Sequence, residues 1–447
     1  MALLMAYVGL VHFNRISITS AGTEHIMPEY GIDETSMGMV YSSYLFVYTF
    51  CMLPGGWLLD KYGPKRALML VGFGSAVLVP LTGLAGYLFL PSPTTAGLPG
   101  VVNEQTLLTG SFLAGSLLLP LCLIRGLLGL ISAPIHPSAA RAISFWMPFS
   151  AQGTANGLVT GAAVTGIALT PFVFGFMMDR LSWPLAFIVA GIATLLLTII
   201  WAMYATDHPD QHPDTNEGER QLPTRLAPAT SQTGSLADSL TGTIELFRNR
   251  SLVLLTLSYA AASYFQFLFF FWQQYYFTKV LKLGNDEGRL CATIVTFAMV
   301  IGMMSGGWIA DRMQLIFGGW RGRAITPIFG MLASGALLIL GVLGTNTVWI
   351  VSCFALAMGA LGLSEAPIWV AGIQLGRQRG GLSAAFLNAG GNVGSILAPI
   401  VTPIFSSFFG WKASLGLAAV ICILGASLWF WIEPPEQNSG TSIEIEP

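Results

Sequence analysis

The sequence predicts an all-α membrane protein, with twelve transmembrane helices arranged as two pseudo-symmetric six-helix halves. Three observations predict this. The first is composition. Of 447 residues, 54% are hydrophobic and 9% charged, where a soluble domain is about 25% charged. Mean hydropathy is +0.68, and so few charges cannot solvate a surface of this size. The second is segmentation into apolar runs long enough to cross a bilayer, which takes about 20 residues each. The third is internal repetition between the two halves of the chain.

The apolar runs come in order at 3–22, 36–58, 67–90, 107–133, 153–177 and 184–204, and then at 252–277, 289–310, 324–344, 347–371, 382–406 and 412–432. Only helices and closed barrels satisfy their backbone inside a bilayer, and these runs are too long and too evenly apolar for barrel strands. The division expected is an N-terminal half (1–204), a cytoplasmic linker (205–250), a C-terminal half (251–432) and an acidic cytoplasmic tail (433–447). The linker is rich in Pro, Ser, Thr and charge. Its end carries Leu236, Leu240, Ile244 and Phe247 at near-helical spacing, which fits a surface helix at the membrane. The tail, with Glu436, Glu444 and Glu446, reads as disordered.

The repeats are specific. Gly166, Pro171 and Trp183 align with Gly394, Pro399 and Trp411 at one common offset. Gly129 and Pro134 align with Gly362 and Pro367, and Gly56-x-x-x-Asp60-Lys61 aligns with Gly307-x-x-x-Asp311-Arg312. Two similar halves joined by a polar linker are the pattern of a transporter that holds its substrate between them.

Composition also excludes classes. Lys and Arg total 20 against 22 Asp and Glu, so no basic surface recruits nucleic acid. No cofactor loop, metal cluster or nucleophile–base pairing is present, so no cofactor and no enzyme are expected. Cys51, Cys122, Cys291, Cys353 and Cys422 all fall in apolar runs and read as small packing residues. Positive charge sets orientation. With both termini cytoplasmic, the inside holds most of it, including Lys61, Lys65, Arg66, Arg141, Arg312, Arg321, Arg323, Arg377 and Arg379. The outside loops hold only Arg180, Lys279, Lys282, Arg289 and Lys412. No cleavable signal is legible, and the short ends and loops read as a bacterial inner-membrane protein, multi-pass and monomeric.

The segment Gly56-x-x-x-Asp60-Lys61-x-Gly63-x-Lys65-Arg66 resembles the loop motif of the major facilitator superfamily. Glycines there allow close packing and a tight turn, and Asp60 can pair with a cation such as Arg141 in one conformation and release it in the other. The second copy keeps Asp311, Arg312 and Arg323 but lacks the central glycine. A narrower resemblance lies in Arg125-Gly-Leu-Leu-Gly129 with Ala133-Pro134, Pro137, Arg141, Phe145-Trp146 and Pro148. Together with Asn14-Arg15 and Asn388-Ala-Gly-Gly-Asn392-Val-Gly394, this resembles the anion:cation symporter family over nearly the whole chain. The resemblance implies a major facilitator fold and transport of organic anions, including sugar acids such as hexuronates, glucarate and galactonate, often with protons. Some proton-coupled members carry an acidic residue before the first-span arginine and a Glu in the fourth-span motif. Here those positions are Asn14 and Ser132, which puts that proton route in doubt.

Read from the residues, Arg15 and Arg125 are the strongest site candidates. An arginine within a span costs about 2.5–3.5 kcal/mol on insertion scales and marks function by default. Two guanidinium groups facing one cavity would hold a carboxylate. His12, Arg15 and Thr19 share a face of the first span, as do Tyr41, Tyr44 and Tyr48 on the second. Tyr259, Ser263 and Gln266 share one on the seventh, and Asn388, Asn392 and Ser395 on the eleventh. Such faces can read hydroxyl groups, although a tyrosine stripe also serves packing. Trp369 can stack on a sugar ring or simply pack. Glu365, four residues earlier, is the clearest mid-span carboxylate. Burial favours the neutral form of a carboxyl, which suits a coupling proton, and pairing with an arginine is the alternative. His12 and His136 are further proton carriers.

The function expected is therefore secondary transport of an organic anion, a sugar acid first, by alternating access with cation coupling. The coupling ion is a proton or, alternatively, sodium. Other readings are a small dicarboxylate, phosphate or aromatic acid as substrate, an exporter, or a sensor that binds without flux.

Overall fold

The computed structural model describes residues 1–88, 104–215, 248–376 and 380–433, and every regular element among them is a helix. α1 (Ala2–Ala21) continues through a π-helical turn, Gly22–Ile26, into α2 (Met27–Tyr30), where Gly31 at φ 65 ends it. The first span is thus longer than the apolar run at 3–22. α3 (Glu34–Leu88) holds the second and third spans in one trace, bent at Gly63 (φ 78, ψ 165). That positive φ is a conformation glycine adopts without steric cost.

α4 (Glu104–Ser132) and α5 (Ile135–Trp146) form one crossing interrupted at Ala133–Pro134. Arg141, read from the sequence as a loop residue, therefore sits on a helix. α6 (Phe149–Leu181) and α7 (Trp183–Tyr204) complete the first half. The second half comprises α8 (Arg250–Tyr275), a second π-helical turn at Tyr276–Val280, α9 (Asn285–Phe317), α10 (Gly319–Leu343), α11 (Thr347–Leu375), α12 (Gly380–Phe409) and α13 (Trp411–Ser427). Arg250, expected as the last linker residue, is the first residue of α8. Asn249 caps that helix by accepting from the Leu252 amide at 3.1 Å.

Among the described residues, 11 stretches are long and apolar enough to cross a bilayer. The first limb of α3 makes the twelfth. It starts at Glu34, which accepts from Tyr275 at one end of the bundle, and reaches Gly63, beside Asp207, at the other. The end that carries Met1, the Gly63 bend and Tyr204 is called the linker end below, and its opposite the far end. Exposed apolar side chains such as Phe46, Leu196, Leu356 and Leu424 cover the outside, as expected of a surface that meets lipid.

The repeated glycines show how the halves are built alike. Gly166 of α6 lies on the backbone of Gly9 in α1, and Gly394 of α12 lies on the backbone of Ala260 in α8. Lipid tails are as apolar as leucine, so helices in a membrane associate through such close approaches. The surface helix read at 236–247, Arg220, Arg225, Arg377, Arg379 and the tail beyond Glu433 lie outside the described residues, as does the side chain of Asp60.

Candidate functional site

The N-terminal wall of the cleft centres on Arg15 and Arg125. The Arg15 guanidinium lies 4.9 Å from the Tyr44 ring centre and 5.9 Å from that of Tyr48, both on α3. It also lies 5.1 Å from Phe267 of α8, so this cation meets both halves. Tyr44 and Tyr48 stack with ring centres 5.9 Å apart. Arg125 comes from α4 and is 1% exposed. Its Nη1 reaches the carbonyl oxygens of Arg15 at 3.3 Å and Asn14 at 3.4 Å. Arg15 Nε, Arg125 Nε and Arg125 Nη2 are buried without a hydrogen-bond partner. Neither guanidinium forms an ion pair among the described residues.

The neighbours of these arginines divide into two groups. Some turn back onto the helices. His12 Nδ1 donates to the Val8 carbonyl at 2.9 Å, and Thr19 donates to Ile16 at 2.9 Å. Asn14 donates to Thr194 of α7 at 2.7 Å, which makes it a tether between helices. Two others are not bonded to their own helices in this way. The Tyr41 hydroxyl has no partner although its ring stacks on Phe271 at 5.1 Å. His136 lies edge-on to His12 at 5.0 Å, at the start of α5.

The C-terminal wall is built around Glu365 of α11. Its Oε1 accepts from the Tyr259 hydroxyl at 2.8 Å and from Trp369 Nε1 at 3.1 Å. Both partners are neutral, and no arginine among the described residues pairs with the carboxylate. Trp369 lies edge-on to Tyr259 at 5.9 Å, and its N–H is shared between Glu365 and the Tyr259 hydroxyl at 3.2 Å. Asn388 and Asn392 of α12 direct their amide nitrogens at Met52 Sδ on α3, at 3.6 and 3.4 Å. Sulfur is a weak acceptor, so a polar ligand would displace it readily. Gln266 is half-buried on α8, and Ser395 donates back to Gly391 at 3.3 Å.

Sequence reasoning missed one cluster. Arg289, read as an outer-loop cation, is on α9 with its side chain 3% exposed. Nε and Nη2 grip Glu24 at 2.8 and 2.5 Å, and Nη2 also donates to Asp179 at 2.8 Å. Nη1 donates to Asp179 and, at 3.1 Å, to Asp286. Gln274 donates to Glu24 at 2.6 Å and accepts from Ser20 at 2.7 Å. Glu24 and Asp179 belong to the first half, Arg289 and Gln274 to the second. Glu24 lies within the π-helical turn after α1, a feature frequent at functional sites. The cluster therefore ties the halves together at the far end, and nearby Gly38 of α3 lies on the Pro399 backbone of α12. At the linker end, Gly153, Gly157 and Gly161 of α6 face open space. The halves are joined at the far end by buried charge and hydrogen bonds.

The expected gating residues gather at the linker end. Lys61 Nζ lies 5.0 Å from the Trp57 ring and 5.3 Å from Tyr62. The Lys65 amide donates to Asp207 at 2.7 Å, so Asp207, three residues beyond the end of α7, caps the second limb of α3. Arg66 is exposed, and Gly56 has open space around it. Arg141 lies over Phe145 at 5.1 Å, and Arg312 over Trp308 at 5.8 Å. Asp311 is exposed and forms no ion pair among the described residues. The expected pairing of Asp60 with Arg141 involves a side chain outside the described residues. A separate outer groove of about 420 Å³, lined by Phe46, Leu123, Leu127 and Ile396, contains none of these site residues.

A bundle of two like halves around a cleft with buried cations defines a membrane transporter. The Major Facilitator Superfamily model matches residues 4–386 and 375–444, and the chain belongs to that family. It is 26% identical to a probable galactarate/D-glucarate transporter of Bacillus subtilis, covering 92% of this chain and 86% of that one. It is 26% identical to a probable sulfoacetate transporter of Cupriavidus necator, covering 88% and 83%. A D-galactonate transporter of Escherichia coli is 25% identical, covering 95% and 93%. Among solved structures, a bacterial homologue of the lysosomal transporter Spinster superposes with a TM-score of 0.69 at 14% identity over 96% of this chain and 95% of that one. The xylose transporter of Escherichia coli gives 0.66 at 13% identity over 97% and 99%. The family and these relatives are transporters, not enzymes, and the chain is a multi-pass membrane protein.

Proposed function

We propose that this protein is a secondary active transporter that carries a sugar acid across a bacterial inner membrane by alternating access, coupled to a cation, with the proton as the leading candidate. The observation that carries this reading is the pair of guanidinium groups, Arg15 and Arg125, set mid-span with buried donors and no carboxylate partner. A buried charge is costly until it is paired, so a site of this kind favours an anion. The relatives named for galactarate, D-glucarate and D-galactonate support a polyhydroxylated one.

In this reading Arg15 and Arg125 hold the carboxylate. His12, Tyr44, Tyr48, Gln266, Asn388 and Asn392 offer donors and acceptors to hydroxyl groups. Glu365, held by Tyr259 and Trp369, takes up and releases the coupling proton. The linker end is cytoplasmic, and Gly56, Asp60, Lys61, Gly63, Lys65, Arg66, Arg141, Asp311 and Arg312 control closure there. The Arg289–Glu24–Asp179 cluster holds the opposite end shut while the cleft faces the cytoplasm.

The test is uptake of labelled galacturonate, glucuronate, galactonate and galactarate into proteoliposomes with an imposed pH gradient. Wild type is compared with Arg15→Ala, Arg125→Ala and Glu365→Gln. The proposal predicts uptake of at least one acid, lost in both arginine variants. Glu365→Gln keeps exchange of that acid and loses accumulation driven by the gradient. Absence of flux for every acid in the panel counts against the sugar-acid reading, and accumulation unaffected by Glu365→Gln removes that residue from coupling.

A further inference from the structure

We infer that the cleft selects a dianion, an organic molecule carrying two acid groups, over a monoanion of the same size. The inference rests on the anion-transport reading of the same site and deepens it. It comes from the charges placed mid-span. Arg15 and Arg125 supply two cations, with Arg125 Nη1 on the Arg15 carbonyl at 3.3 Å and Tyr44 under the Arg15 guanidinium. In the first half, residues 2–23, 35–59, 61–103, 105–178 and 180–204 contain no Asp or Glu. Acidic residues stand only at the ends of its helices, and two of these, Glu24 and Asp179, are already engaged by Arg289.

The other titratable groups at this wall do not balance the arginines. His12 and His136, 5.0 Å apart beside Arg15, add positive charge if protonated and never negative charge. Tyr41, Tyr44 and Tyr48 are neutral phenols. Glu365 stands on the opposite wall with Tyr259 and Trp369 as partners, and pairs with neither guanidinium. With Glu365 ionised the mid-span charge is one net positive, and with Glu365 protonated it is two.

The hydrogen-bonding capacity agrees with the charge. Arg125 uses Nη1 on two backbone carbonyls and leaves Nε and Nη2 dry. Arg15 is half-buried and leaves Nε dry, with its guanidinium over the Tyr44 and Phe267 rings. A single carboxylate satisfies one guanidinium fork and leaves the other cation without an acid partner. Two acid groups give one to each arginine and allow the loaded cleft, with Glu365 protonated, to close as a neutral unit. Aromatic faces under Arg15 can orient a guanidinium but cannot cancel its charge.

The discriminating pair of probes is galactarate and galactonate. They share a six-carbon chain and the hydroxyl configuration of their inner carbons. They differ in one terminus, a carboxylate in galactarate and a CH2OH in galactonate. Equilibrium binding of each to the purified full-length protein in detergent, read by tryptophan fluorescence or calorimetry, measures the preference in wild type without any variant. The inference predicts that galactarate binds at least tenfold tighter, and that Arg125→Gln narrows the ratio to within about threefold. Equal affinities, or a preference for galactonate, overturn the inference and leave the sugar-acid reading standing. If neither sugar acid binds, sulfoacetate and succinate are added as dianions against propionate as a monoanion. Binding of a dianion alone then supports the inference while the sugar-acid reading falls. Binding of propionate as tightly, or of no dianion at all, overturns it.

Discussion

Arg289→Gln tests the cluster that closes the far end. In the closed conformation Arg289 is 3% exposed and grips Glu24, itself 1% exposed, through two nitrogens. Its other carboxylate partners are far wetter, with Asp179 48% and Asp286 93% exposed, so they contribute much less. The loss therefore falls on Glu24, which is left buried with only Gln274 as a donor. Removing one member of a buried ion pair costs about 3–5 kcal/mol. Opening the far end hydrates Glu24 and escapes that penalty, so the variant shifts population toward the open form. Even about 3 kcal/mol is a factor of about 100 in the equilibrium. The assay places a single cysteine at Thr23, which is fully buried beside Glu24, after replacing Cys51, Cys122, Cys291, Cys353 and Cys422. A membrane-impermeant maleimide is applied to right-side-out and inverted vesicles in parallel. Arg289→Gln is expected to raise the labelling rate at least tenfold from the far-end face. The double variant with Glu24→Gln, which leaves no dry carboxylate at that position, returns most of the way to wild type. An unchanged rate in Arg289→Gln would refute the claim that this cluster holds the end closed.

Two further predictions concern packing and turn geometry. An added Cβ at Gly394 overlaps the Ala260 carbonyl oxygen, whereas one at Gly416 meets nothing within 4 Å. Gly394→Ala should therefore destabilise the protein by about 1–3 kcal/mol through overpacking, seen as a lower melting temperature in detergent, while Gly416→Ala stays at the wild-type value. Gly63→Ala forces a side chain into φ 78, ψ 165 with its Cβ 3.0 Å from Asp207 Oδ1, and should cost about 1–3 kcal/mol from the strained backbone alone. Thermal unfolding of Gly63→Ala with and without Asp207→Ala separates backbone strain from the clash, and a variant as stable as wild type would contradict the turn geometry.

The fold was legible because the properties that define it are local and repeated. Long apolar runs, a polar linker and glycines at matched offsets need no tertiary knowledge. The π-helical turns at Gly22–Ile26 and Tyr276–Val280 were not legible, since their residues do not differ from those of ordinary helix ends. Arg15, Arg125 and Glu365 stand out because charge is costly far from either end of a span. Glu24, Asp179 and Arg289 escaped notice for the opposite reason. Each lies at the end of a span, where charge is unremarkable, and only the fold brings both carboxylates within 3 Å of Arg289. Tyr259 was readable as part of a polar face, but its bond to Glu365 joins α8 to α11 across 106 residues of sequence. Likewise Thr19 and Ser395 shared the right helical faces yet spend their hydroxyls on their own backbones.

The central claim is that Arg15 and Arg125 together form the anion site. Equilibrium exchange of a labelled sugar acid, galactarate first, tests it most directly, because exchange needs binding and alternation but no driving gradient. Arg15→Lys and Arg125→Lys keep the charge and lose the planar fork of donors. The account predicts that each slows exchange at least tenfold at sub-saturating substrate, and that Arg15→Ala and Arg125→Ala abolish it, with all four variants melting as folded proteins. Exchange at the wild-type rate in either alanine variant would contradict the account.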